Sequence, residues 1–227
     1  MKMKNQIVTA FVMVFATVMN AQTTKEQQSA LTPDKVLADL MDGNARFTTG
    51  KMHNPEIKQR VANSAAGQYP KAVILSCLDS RVPVETVFDQ GIGDLFVGRV
   101  AGNIEDQDQL GSMEFATKLS GAKLVFVLGH SACGAIKGAC DKAELGNLTG
   151  LLAKIRPAVD AVQGFKPEER TSANKEFVEK VAEQNVRQTM ENIRKDSPVL
   201  AEMEASGKIK IVGGMYDLET GKIALLK

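Results

Sequence analysis

Five residues of this chain have the types and spacing to do chemistry together. Cys77, Asp79 and Arg81 alternate in "SCLDSRVP", and His130 and Cys133 stand three apart in "GHSACGAIKGAC". Two thiolates and one imidazole suit zinc, which takes sulfur and nitrogen in a tetrahedral shell. Three protein ligands with an open fourth position describe a catalytic zinc rather than a structural one. A carboxylate two residues from a thiolate ligand reaches toward that fourth position. An arginine two residues later can hold the carboxylate back in a charge-assisted, bidentate pair. Taken singly, each residue has a blander reading. A cysteine is often a small buried hydrophobe, a histidine a satisfied loop residue, an Asp–Arg pair a surface contact worth little. The weight comes from all five standing where apolar runs end.

Those runs are the elements that must position the site. Residues 71–76, 94–99 and 123–129 are short and aliphatic or β-branched, and they read as buried strands. "DQDQLGSMEFATKLSGA" between the second and third reads as a helix, so the order strand–helix–strand predicts a parallel sheet with crossovers. In such a sheet ligands gather at the carboxyl ends of strands. Cys77 follows the first run and His130 the third; if those strands are neighbours, Cys77, His130 and Cys133 converge. Upstream, "TPDKVLADLMDGNARF" predicts a helix capped by Thr32, opened by Pro33, with Val36, Leu37, Leu40 and Met41 as its apolar stripe. "PEIKQRVANSAA" predicts a second, short helix. The chain turns helical again from Ala135, with amphipathic segments over 147–163 and 171–195 punctuated by Pro157, Pro167 and Pro198. The end reads as two strands about a turn at Glu219–Gly221.

Length and composition bound the rest. The 227 residues suffice for one domain, read as 31–227, with no linker that would split off a second. Net charge is +1, with no Trp and two Tyr, which argues against a nucleic-acid partner. Residues 1–21 carry Lys2 and Lys4, an apolar core from Ile7 to Met19, and Ala21, a secretory signal-peptide pattern too short for a membrane span. The expectation is cleavage after Ala21, export to the periplasm, no stable membrane insertion after processing, and a flexible polar segment over 22–30. Cleavage takes two lysines and no acid, leaving the mature chain at −1. Three cysteines cannot close a disulfide framework, so an exported chain must hide its thiols, use them or tie them to metal. Cys140 reads as a partly buried helix residue, with a redox-sensitive thiol as the sharper alternative.

"SCLDSRVP", "GDLFVGRVAGN" and "GHSACGAIKGA" together resemble the β-class carbonic anhydrases over roughly residues 31–227. The resemblance implies an α/β fold: a four-stranded parallel sheet with an added antiparallel C-terminal strand, helices on both faces and an N-terminal helical arm. It implies one zinc per chain on Cys77, His130 and Cys133, with Asp79 and Arg81 as the catalytic dyad, and reversible hydration of carbon dioxide to bicarbonate and a proton. It implies a homodimer that exchanges N-terminal helices, often paired into a homotetramer. Residue by residue, Gln68 matches a substrate-binding glutamine of the plant-like branch, Phe96 an apolar wall residue, Ala101 a small aliphatic pocket residue, and Gly102 the turn that follows it. The chain also departs from family patterns. Ile74 stands where the bicarbonate-regulated branch has tryptophan, although Arg99 matches that site's arginine, and Phe115 stands where tyrosine is frequent.

The residues then suggest a mechanism. Zinc brings the pKa of bound water to near 7. Two thiolates weaken the metal as a Lewis acid, and Asp79 paired to Arg81 is the candidate for compensation, orienting the nucleophile toward carbon dioxide. Gln68 donates to the substrate oxygen that gains charge. His53 is the one imidazole besides His130, and reads as an exposed turn residue rather than a proton shuttle. Two other functions stay open on the residues alone: a hydrolase of carbon disulfide or carbonyl sulfide on the same fold and metal, and a zinc-binding protein without turnover.

Overall fold

The computed structural model describes residues 23–53 and 57–226. The signal-peptide reading falls on residues outside them. Among the described residues no helix is long and apolar enough to cross a membrane.

The chain opens with α1 (Lys25–Ala30), capped by Thr24 in a reciprocal box with Gln27. The segment read as flexible is therefore helical here. Its Gln28 is buried and donates to the carbonyls of Pro70 and Ser120, which ties it down. Helix α2 (Pro33–Thr48) starts as the sequence predicts, with the Thr32 side chain accepting from the Lys35 amide and Pro33 in the first turn. Val36 and Leu40 are fully buried, and Leu37 and Met41 pack beside them. Then come α3 (Ile57–Ser64), β1 (Ala72–Ser76), the single turn α4 (Val84–Val87) and β2 (Leu95–Arg99). Helix α5 (Gln107–Glu114) widens into a π-helical stretch, Phe115–Leu119, before β3 (Leu124–His130). The rest is α6 (Gly134–Cys140), α7 (Gly146–Ala161), α8 (Lys175–Asp196), α9 (Pro198–Ala205), β4 (Lys210–Tyr216) and β5 (Ile223–Leu225).

The five strands form one sheet in the order β2-β1-β3-β4-β5, parallel throughout except for the antiparallel β4–β5 pair. This is the architecture expected from the resemblance. Alternate residues of the central strands feed opposite faces, as the pleat requires. Ile74, Phe126 and Leu128 pack under α2 and α4, while Val73, Leu75, Val125 and Val127 pack under α5, α8 and α9. β1 and β3 are buried at every position, which explains why they read as unbroken apolar runs. Each fully buried large side chain here contributes about 1.5–3 kcal/mol.

The amphipathic segment read over 147–163 is α7, and Pro157 lies inside it. Burial of Leu152, Ile155, Ala158 and Val159 outweighs the hydrogen bond the proline removes. Pro198 starts α9 behind the Ser197 cap instead of only closing the helix before it. The arm expected to exchange between subunits lies, in this chain, against its own sheet. Besides the α2 packing, Asn44 donates to the carbonyls of Val87 and Gly221 and accepts from the Ile223 amide.

Candidate metal centre

β1 and β3 are direct neighbours, in register from Ala72↔Leu124 to Ser76↔Leu128, so both ligand-bearing loops leave the same edge of the sheet. Cys77 Sγ, a ring nitrogen of His130 and Cys133 Sγ all lie within 4.8 Å of one another, and all three residues are buried. The two sulfurs are 3.9 Å apart. A tetrahedral ion with sulfur ligands at about 2.3 Å separates them by about 3.8 Å, so the pair already has a zinc-like bite. The imidazole is oriented for the same purpose. His130 Nδ1 lies 2.9 Å from the Ser131 carbonyl. A carbonyl can only accept, so Nδ1 carries the proton and Nε2 presents its lone pair. That Nε2 is buried and without a hydrogen-bond partner. A buried unpartnered nitrogen beside two sulfurs is costly unless something binds it. The donor set therefore fits a zinc ion.

The thiols are electrostatically split. A hydrogen bond from Cys133 pulls the Cys77 thiol well below its ordinary value, with further help from the Gly102 amide. The same contact, together with burial, pushes Cys133 up. Gly102 supports this sulfur, its amide donating to Cys77 Sγ at 3.4 Å. Its φ is +75°, and a β-carbon there would come within 2.6 Å of Ile155 Cδ1, so both the conformation and the space demand glycine. Asn185, on α8, donates to the Gly102 carbonyl at 2.8 Å.

Asp79 and Arg81 stand over the cluster. Arg81 grips the carboxylate twice, Nε to Oδ1 at 2.9 Å and Nη2 to Oδ2 at 2.7 Å, and its amide adds a third bond to Oδ1. This holds the Asp79 carboxyl well below the usual carboxylate range. Asp79 Oδ2 is 3.8 Å from His130 Nε2, close enough to face whatever that nitrogen binds.

The other expected site residues divide. Ala101 and Gly102 share the 3₁₀ turn Ala101–Asn103 beside Cys77. Phe96 pairs with Val73, four residues before Cys77, so it lies roughly 13 Å down the sheet from the ligand end. Its ring meets Phe115 edge-on, 6.1 Å between centroids, in a groove of about 1060 Å³ along β2. Gln68 is exposed in the loop between α3 and β1. His53 is half-exposed and contacts Asp89, which also binds Arg46. Ile74 is fully buried in the face under α2.

Two supporting residues escaped the reading of this site from the sequence. Arg99 donates from Nε to the Cys77 carbonyl and from Nη2 to the Asp79 carbonyl, at 3.0 and 2.5 Å. Only the pairing of Ser76 with Arg99 across β1 and β2 brings it there. Asn185 had a legible sign: it is a polar residue inside the buried stripe of α8, between Ala182 and Val186.

The description "Carbonic anhydrase" belongs to the family whose model matches residues 72–223, a span holding both ligand loops. "Carbonic anhydrase 2" of Mycobacterium tuberculosis is 37% identical over 187 residues, covering 82% of this chain and 89% of the relative. A carbonic anhydrase of Mycolicibacterium smegmatis is 36% identical over 192 residues, with the same shares covered. Among solved structures, one of two tetrameric β-carbonic anhydrases from Sordaria macrospora superposes with a TM-score of 0.64 at 26% identity, over 85% of this chain and 97% of that one. Sequence, fold and donor set agree, and this chain belongs to the β class of the carbonic anhydrase family.

Proposed function

We propose that this enzyme reversibly hydrates carbon dioxide to bicarbonate and a proton, using one zinc per chain on Cys77, His130 and Cys133. The observation that carries the reading is the unpartnered His130 Nε2, set among two sulfurs and faced by an Arg81-gripped carboxylate. When bound, zinc supplies Lewis acidity that makes water nucleophilic near neutral pH. Asp79 accepts a hydrogen bond from the attacking water and turns its lone pair toward the substrate carbon. Arg81 keeps Asp79 ionised and holds it away from the position the water needs. As the oxygen adds to carbon, one carbon–oxygen π bond opens onto the substrate oxygen, which takes up the charge. Gln68 precedes β1 and so stands at the end of the strand away from Cys77, too far to donate to it within one subunit. Ala101 and Gly102, beside Cys77, give the pocket wall suited to a small apolar gas, and Phe96, down the sheet against Val73, stands too far from the ligand end to share it. The released proton passes to solvent buffer.

Proton release on mixing purified protein with carbon dioxide, with and without a chelator, tests the reaction. Elemental analysis tests the metal: about one zinc per chain in the wild type and none in Cys77→Ala. Full zinc retention in that variant would sink the assignment.

Assembly and location extend the proposal. A homodimer, or a homotetramer built from it, is supported by the open edge of β2 and by Phe115 lying exposed there. Light scattering after gel filtration reads it, and a monomer at micromolar concentration would refute it. The basic start, apolar core and Ala21 support periplasmic export. Mass spectrometry of native protein should find Gln22 at the N-terminus, and an intact Met1 on soluble cytoplasmic protein would overturn it.

A further inference from the structure

The two ligands on the second loop are separated by only Ser131 and Ala132, and both must aim at one point. The chain achieves this by placing Ala132 in the left-handed region, with φ of +54°. That conformation disfavours any residue with a β-carbon, and alanine has no polar side chain to offset it locally. Something outside the loop must hold it. Ser131 is held from the sheet side: its amide donates to the Tyr216 carbonyl and its Oγ accepts from the Leu218 amide. Ala132 is held from the helix side. Its amide donates to Glu179 Oε1 at 3.0 Å, from a residue 47 positions later on α8. Glu179 is half-buried, nearly two turns before Asn185 and its bond to the Gly102 carbonyl. The same helix thus braces the second ligand loop directly and reaches Cys77 only through Gly102, whose amide donates to its sulfur.

We propose that Glu179 is a positioning residue for the metal loop: its carboxylate holds the Ala132 amide in the left-handed turn that points His130 and Cys133 at one ion. The proposal rests on the zinc reading of the Cys77–His130–Cys133 cluster. Glu179 does not touch the reacting atoms; it fixes the angle between two ligands. Partners of this kind, one layer behind the ligands, change metal affinity by roughly 10–100-fold.

The test is the rate at which zinc-loaded, full-length protein gives up its metal to a chromogenic chelator near neutral pH. Glu179→Ala should lose zinc about tenfold faster than wild type. Glu179→Gln keeps an oxygen acceptor at the same reach and should stay close to wild type. Ala132→Gly placed in the Glu179→Ala background should restore slow release, because glycine adopts positive φ without needing to be held. General weakening of α8 would not be rescued by a change in the loop. Should Glu179→Ala not fold, Glu179→Asp carries the same test, with the charge kept on an arm one carbon shorter. The proposal is overturned if the Ala or Asp variant releases zinc at the wild-type rate, if the Gln variant is as fast as Ala, or if Ala132→Gly restores nothing. A wild-type protein that holds no zinc would instead refute the metal reading itself.

Discussion

The two loops that meet at the metal centre are built on different plans. The first, from Cys77 to Pro83, is largely open. Leu78 is 60% exposed, the Arg81 side chain 56% and the Asp79 side chain 15%. Its key contact is local, between residues two apart, and its outside braces are Arg99 from the next strand and the Gly102 amide just beyond it. The second loop, from His130 to Gly134, is closed. The His130 side chain is fully buried, and the braces from outside the loop come from chain more than forty residues away: Tyr216, Leu218 and Glu179. The difference follows from the tasks. A ligand must be held still in a dry place, where its lone pair meets no competing water. A carboxylate that orients water, the role proposed for Asp79, must stay within reach of solvent. On the proposed function, two of the three ligands sit on the long-range loop, and Cys77 shares the short-range one with the proposed Asp79–Arg81 pair.

Breaking the open loop should therefore cost rate without costing metal. Asp79→Asn keeps the shape and the zinc but loses the charge that orients water, and hydration should fall roughly 10²–10⁴-fold. Elemental analysis alongside the proton-release assay reads both, and zinc loss together with the rate would erase the division between the loops. Arg99→Ala removes two bonds to loop carbonyls. A bond from a charged donor is worth about 1.5–3 kcal/mol, and with the loop open to water the lower end applies to each, so hydration should drop by up to about a hundredfold with zinc retained. An unchanged rate would mean the open loop needs no brace.

Breaking the closed loop away from the ligands should do the reverse. Ser131→Ala deprives the Leu218 amide of its acceptor. Urea unfolding should lose about 1 kcal/mol while the turnover of the loaded enzyme stays put; a large rate loss at unchanged stability would contradict the scheme. The smallest effect lies at the far end of α6, the helix into which the closed loop runs. Cys140 is buried there, and burial, with the Asp141 charge beside it, pushes its thiol from 9.0 up to about 11. Between those values the unfolded chain ionises and the folded one does not, so stability should fall as pH rises through that window. Below about pH 9 the thiol contributes no slope. Cys140→Ala should flatten the alkaline decline in urea stability, and an identical pH slope in variant and wild type would remove Cys140 from it.

Much of this molecule was legible because local physics and tertiary structure agree. β1 and β3 are buried on both faces, so their aliphatic runs stand out without any partner in view. Thr32 and Pro33 open α2 by interactions within one turn. Cys77, Asp79, Arg81, His130 and Cys133 announce themselves by type and spacing, because few other tasks need that set. α4 and α9 left weaker marks. The first is one turn long, and the second follows α8 after the single residue Ser197, so their apolar positions merge with their neighbours'.

Only the tertiary structure decided what depends on which strands and helices become neighbours. The pairing of β1 with β3 turns two separate motifs into one donor set, and the position of β2 brings Arg99 to the first loop while carrying Phe96 down the sheet. No local pattern links Glu179 to Ala132 or Asn185 to Gly102, since those bonds span 47 and 83 residues and exist only once α8 has packed on the sheet. Residue type and spacing determined which chemistry this chain can do. The packing of strands and α8 determined the geometry, because angles between ligands on different elements are set by contacts that sequence neighbours do not make.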